Sequence, residues 1–140
     1  MGIKIPVIGA TGLERILKQQ KRGIIQNSFA ADTGWVDASL INGWIQFDIT
    51  THGPISYRRI DGLIHIRGIA TQPTGASQTL PAFVLPTGFR PVRKVILSGM
   101  TGAGTARYDI EPGGNGIYPL GFGAGANQWA SFHAVFPADA

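Results

Sequence analysis

A chain of 140 residues is long enough for one domain with a hydrophobic core of its own. Apolar residues make up 44% and charged ones only 14%, against roughly 25% charged in an average soluble protein, so disorder is excluded and a surface partly closed off in an oligomer is favoured. Cysteine is absent, which rules out a disulfide framework and thiolate metal sites, and a formal charge of +4 scattered along the chain argues against a nucleic-acid interface.

The first stretch, MGIKIPVIGATG, has one lysine and a short apolar run broken by Pro6, which does not make a signal peptide. No segment approaches 18 uninterrupted apolar residues, so no membrane span is expected and the chain is expected to be made and assembled in a cytoplasm. Thr11 and Glu14 match a capping box, Leu13, Ile16 and Leu17 share a helical face, and Gly23 sits where such a helix would stop. A helix of about eleven residues is marginal alone in water. It is expected to lie against its own domain or, with Ile3 and Ile5 of the preceding apolar arm, against copies of itself. Residues 1–32 therefore read as an arm with a short helix for trimerisation or attachment, and 33–140 as a separate β domain.

From about residue 33 short β-rich pieces alternate with turn residues: GWVDA, WIQFDI, ISYRRI, LIHIRGIA, VRKVILSG, TARYDI, GIYPLGF and WASFHAVF. Strands of this length at spacings near ten residues describe an antiparallel sandwich or barrel, so the fold class expected is all-β. The sharpest local signal is Asp61-Gly62, the favoured pair for a two-residue type I′ turn. That turn pairs Arg58 with His65 and Tyr57 with Ile66. Alternation then puts Tyr57, Ile64 and Ile66 on a core face and Arg58, His65 and Arg67 on a polar one.

Catalytic patterns are missing. The histidines, His52, His65 and His133, form no H-x-x-x-H pair. The glycine-rich stretches SGMTGAGTAR and GFGAGAN lack the lysine pattern of a phosphate loop, and no nucleophile elbow is present. No enzymatic activity, cofactor or resident metal is expected, although Asp109 and Glu111, two apart on a strand, share a face that a cation would suit. Recognition is better served. Trp129, Ser131 and His133 share one strand face and Arg107, Asp109 and Glu111 another. A saccharide site needs a flat aromatic surface for C–H faces and rigid Arg and Asp partners for hydroxyls.

The segments SYRRIDGLIHIRGIAT, LPTGFRPVRKVILSG, ARYDIEPGGNGIYPLGF and WASFHAVFP together resemble the head domains of phage tail receptor-binding proteins. The nearest in pattern are those of siphophages infecting Gram-positive bacteria, the lactococcal baseplate tip proteins among them. The resemblance covers roughly residues 33–138, and Leu85-Pro86-Thr87-Gly88-Phe89-Arg90-Pro91 is its most specific piece. There two prolines fix φ and withhold ladder hydrogen bonds, Gly88 permits a tight reversal, and Phe89 is placed to anchor the turn on the core.

The resemblance implies a small trimeric β-barrel or sandwich head. An N-terminal segment would hold it to other tail or baseplate proteins of a virion, and it would bind a host cell-wall saccharide without cleaving it. The family's site motif, a His-x-Asp strand followed by a Trp, falls on Arg107-Tyr108-Asp109 here. The aspartate carries over, the histidine is replaced by Arg107, and Tyr118 and Leu120 stand near the place of the Trp. The saccharide site expected is therefore Arg107, Asp109, Tyr118, Trp129 and His133. Two other functions remain open on sequence: a structural virion protein such as a tail collar or head decoration trimer, and, more distantly, a glycan hydrolase.

Overall fold

Asp61 and Gly62 take φ of 50° and 80°, the left-handed pair that a type I′ turn requires. The hairpin around them has the register read from sequence, with Arg58 opposite His65 and Tyr57 opposite Ile66. This is a computed structural model, and it describes residues 32–75, 79–114, 116–120 and 129–139. The arm residues Ile3, Ile5, Leu13, Ile16 and Leu17, and the helix expected there, lie outside the described residues.

Over that span the fold is all-β, two antiparallel sheets facing across one core. The first sheet has the order β1 (Val36–Asp37), β3 (Ser56–Ile60), β4 (Leu63–Arg67), β10 (Ala134–Pro137). The second runs β2 (Ile45–Gln46), β5 (Ile69–Thr71), β9 (Trp129–Ser131), β6 (Val95–Thr101), β7 (Gly104–Glu111), β8 (Gly116–Leu120). Each of the eight strand pieces expected from sequence holds a strand. Two of them hold two: LIHIRGIA becomes β4 and β5, and WASFHAVF becomes β9 and β10.

Those two splits are one event. Ile66 pairs with Ala134 and Ile69 with Ser131, the register that a single uninterrupted ladder would give. The ladder passes from one sheet to the other at Gly68, whose carbonyl accepts the Phe132 amide at 2.8 Å. Gly68 has φ of 132°, and a Cβ there would lie 2.5 Å from the Ile55 Cα, so only glycine fits this corner. Phe132 fills the inside of the bend. It is edge-on to Trp44 and Phe83, with centroids at 5.7 and 5.8 Å, and stacked on Tyr108 at 5.2 Å. Ile55, Ile64, Ile110 and Ile117 complete the most deeply buried set.

The Leu85–Pro91 turn is built as its residues dictate. Gly88 has φ of 90°, the Phe89 amide donates to the Pro86 carbonyl at 3.1 Å, and the Phe89 ring packs edge-on against Tyr57 at 5.0 Å. The turn is then tied to the rest: Arg59 donates to the Gly88 carbonyl at 2.7 Å and Arg90 to the Leu85 carbonyl at 2.8 Å. Asp32, assigned by sequence to the arm, is fixed to the β domain by a two-pronged ion pair with Arg58.

Candidate functional site

The outer face of the six-stranded sheet carries the first group of expected site residues. Register sets Ile96, Asp109 and Tyr118 abreast, and Ser98, Arg107 and Leu120 abreast. Alternation reads Asp109 as solvent-facing, but it is only 2% exposed. Its neighbours fold over it. Arg107 Nε donates to Oδ1 at 2.7 Å and Nη2 to Oδ2 at 2.8 Å, while Lys94 Nζ lies 3.1 Å from Oδ2. Lys94 also reaches Glu111, at 2.6 Å. The cation on the Asp109–Glu111 face is thus a lysine of the chain itself.

The electrostatics agree with the geometry. Hydrogen bonding from Arg107 holds the Asp109 carboxyl below its ordinary value, with Lys94 adding to that and burial opposing it. Lys94 is raised in turn, by Glu111 first and Asp109 second. A carboxylate with two guanidinium hydrogens and an ammonium already on its oxygens has little left to accept from a sugar hydroxyl. Arg107 has its Nε–Nη2 fork taken up by the same pair. Among the described residues no three His, Asp or Glu side chains gather where they would hold a metal ion.

The other expected residues separate. Trp129 stands on the outer face at the β6–β7 turn, its carbonyl accepting the Gly102 amide at 3.2 Å. Gly102 is four residues along from Ser98, which is opposite Arg107, so about 13 Å of strand separates Trp129 from that row. His133 leaves the face altogether, because the chain changes sheets between Ser131 and Ala134.

His133 instead lines an open cleft of about 450 Å³ on the outside of the four-stranded sheet. Trp35, His65 and Arg67 line the same cleft, together with Val135 of β10 and Leu97 of β6. Continuing the β4–β10 register sets Arg67 opposite His133, just as it sets His65 opposite Val135. Trp35 comes to this face because Val36 pairs with Tyr57, whose side chain points to the core. Its ring meets the Arg67 guanidinium at 3.8 Å from the centroid, with Arg58 farther off at 5.8 Å.

The two arginines are occupied differently. Arg58 is closed on Asp32, whose carboxyl is lowered to about 2, first by that pairing and then by the Gly34 amide. Arg67 donates Nε weakly to Ser56 Oγ at 3.4 Å and, among the described residues, pairs with no carboxylate. The cleft therefore presents a part-exposed indole, a guanidinium over its ring, and two imidazoles.

Three of these residues were legible in the sequence and the fourth was not. Arg67 and His65 stood in the polar row of the hairpin, and His133 in the expected site. Trp35 went unassigned: in GWVDA it alternates with the polar Asp37, but over a run too short to mark an outward position. No family model matches the chain, and neither a curated protein nor a solved structure does.

Proposed function

We propose that this protein is a receptor-binding head of a phage tail or baseplate, recognising a host cell-surface saccharide without catalysis. The observation that carries the reading is the Trp35–Arg67 cleft. An exposed indole offers a flat apolar surface for the C–H face of a pyranose, and guanidinium and imidazole groups beside it donate and accept at the ring's edge. The cleft is open and shallow, as suits the end of a glycan chain entering from outside. A single site of this type binds weakly, in the millimolar to micromolar range, or about 4–8 kcal/mol. Several copies on one particle raise the effective affinity with no new contact.

The reading includes a homotrimer. The outer face of the six-stranded sheet is apolar well beyond the scatter normal for a monomer: Ile45 is 61%, Ile96 58% and Met100 50% exposed, with Phe47 and Leu120 on the same face. Its charged residues, Lys94, Arg107, Asp109 and Glu111, neutralise one another. A neutral apolar sheet face suits packing against further copies of the chain, closed by symmetry. The same face also favours the second reading, a structural virion trimer with no saccharide ligand. A pull-down of the purified protein on isolated Gram-positive cell walls separates the two: retention supports the receptor-binding head, and no retention on any wall leaves the structural trimer. Release of reducing sugar from those walls would overturn both in favour of a hydrolase.

A further inference from the structure

The cleft carries a chemical preference in the balance of its donors and acceptors. A neutral sugar hydroxyl both donates and accepts, and it is held best where a guanidinium or amide donor stands beside a carboxylate acceptor. Among the described residues, the lining around Trp35 has the donor and lacks that acceptor. Arg67 is the one fixed charge among the described lining residues, and the other polar groups there are the imidazoles of His65 and His133. The nearby carboxylates are otherwise placed: Asp32 is closed on Arg58, and Asp37 lies beyond Ser56, two strands from Arg67. The Arg67 guanidinium sits over the Trp35 ring, with Nη1 and Nη2 not engaged by any carboxylate among the described residues. A planar fork of that kind matches an acceptor-only group with two oxygens.

We infer that the ligand of this cleft is an acidic saccharide, whose carboxylate or phosphate ester seats on the Arg67 fork while its ring lies against the part of Trp35 that Arg67 leaves open. The inference rests on the saccharide-binding reading and narrows its ligand. His65, two residues back along β4, and His133, across from Arg67 in the continued register, are placed to share the same anion or the hydroxyl next to it. A neutral sugar in the same place would leave the guanidinium facing hydroxyls with imidazoles, and no carboxylate, to accept their protons.

The test is an NMR titration of the full chain, following the three indole N–H signals and the imidazole resonances, with glucuronate, glucose 6-phosphate and methyl glucoside. The expected result is a saturable shift of the Trp35 and His133 signals with an acid, at least about tenfold tighter than with methyl glucoside. Response to glucuronate identifies a uronic acid type of ligand, response to glucose 6-phosphate a phosphate ester, and response to both an anion of either kind. Arg67→Gln should level the three ligands, and Arg67→Lys, which keeps the charge and loses the fork, should fall between. Equal binding of methyl glucoside and both acids, discrimination unchanged in Arg67→Gln, or no shift with any ligand would overturn the inference. Wall retention that depends on Trp35 without any preference for acids would defeat this inference and leave the saccharide reading standing. Acid binding in the cleft with no retention on any wall would do the reverse.

Discussion

Tyr108 lies flat across Gly99: a Cβ on Gly99 would fall 2.4 Å from the Tyr108 ring and 2.5 Å from its hydroxyl oxygen. The missing side chain on β6 is what lets the ring cross that strand. On the far side its hydroxyl donates to the Ser131 carbonyl at 2.9 Å and accepts the His133 amide at 3.2 Å. Those are backbone groups at the point where β9 ends and the chain turns into β10. One phenol thus closes the corner beside the cleft and sets where His133 begins.

Two substitutions follow from that contact. Gly99→Ala forces Tyr108 or the β9 backbone to move and should destabilise by about 1–3 kcal/mol, the usual range for overpacking a filled core. Tyr108→Phe keeps the ring and leaves a carbonyl and an amide without their partner, at about 1–3 kcal/mol. Urea denaturation measures both. A Tyr108→Phe protein as stable as its parent would show that solvent replaces the hydroxyl at this corner.

The Lys94–Asp109–Arg107 cluster should show in the pH dependence of stability. The folded-state carboxyl of Asp109 titrates below its ordinary value of 3.8. Its contribution is therefore complete above about pH 4 and is lost as pH falls through the lowered folded value. Asp109→Asn should cost about 1–3 kcal/mol at pH 7, because Lys94 keeps Glu111 and Arg107, the cation it strands, is half-exposed and can hydrate. It should also flatten the decline below pH 4. Melting temperatures of parent and variant between pH 7 and pH 2 check both points, and parallel curves would contradict them.

Gly88→Val should cost about 1–3 kcal/mol, since a β-branched residue resists a φ of 90°. The space itself is open, with only the Arg59 guanidinium within 3.6 Å of an added Cβ. The cost is thus one of backbone conformation, and Gly88→Asn, which tolerates positive φ better, should recover part of it in the same denaturation assay. Equal losses for valine and asparagine would assign the effect to contact with Arg59 instead.

Light scattering should give three times the 14.9 kDa chain mass at micromolar concentration. Ile96→Lys with Met100→Lys, both on the exposed outer face of the six-stranded sheet, should lower that mass without altering the circular dichroism spectrum. A parent protein at the mass of one chain would remove the trimer.

How far these features were legible in the sequence depends on how local their causes are. The Asp61-Gly62 turn was, because two adjacent residues fix both its geometry and the register of the strands it joins. So was the Leu85–Pro91 turn. Asp109 was not: alternation correctly set it on the outer face, but its burial comes from Lys94 and Arg107 folding over that face, which no spacing encodes. Trp129 and His133 alternate in register along WASFHAVF, and they part because the strand changes sheets opposite Gly68. Trp35 sits beside a two-residue strand, too short to show a period. Its orientation is settled by Val36 pairing with Tyr57, about twenty residues away, and by Asp32 closing on Arg58.

Retention on isolated Gram-positive cell walls, comparing the parent protein with Trp35→Ala, His133→Ala and Arg107→Ala, tests the central claim most directly. Each variant is first shown to keep the parent's circular dichroism spectrum. The expected result is retention of the parent, loss of at least about tenfold for Trp35→Ala and His133→Ala, and no change for Arg107→Ala, whose guanidinium serves only the cluster on the opposite sheet. Retention unaffected by Trp35→Ala and His133→Ala but abolished by Arg107→Ala would contradict the account and move the site to the outer face of the six-stranded sheet.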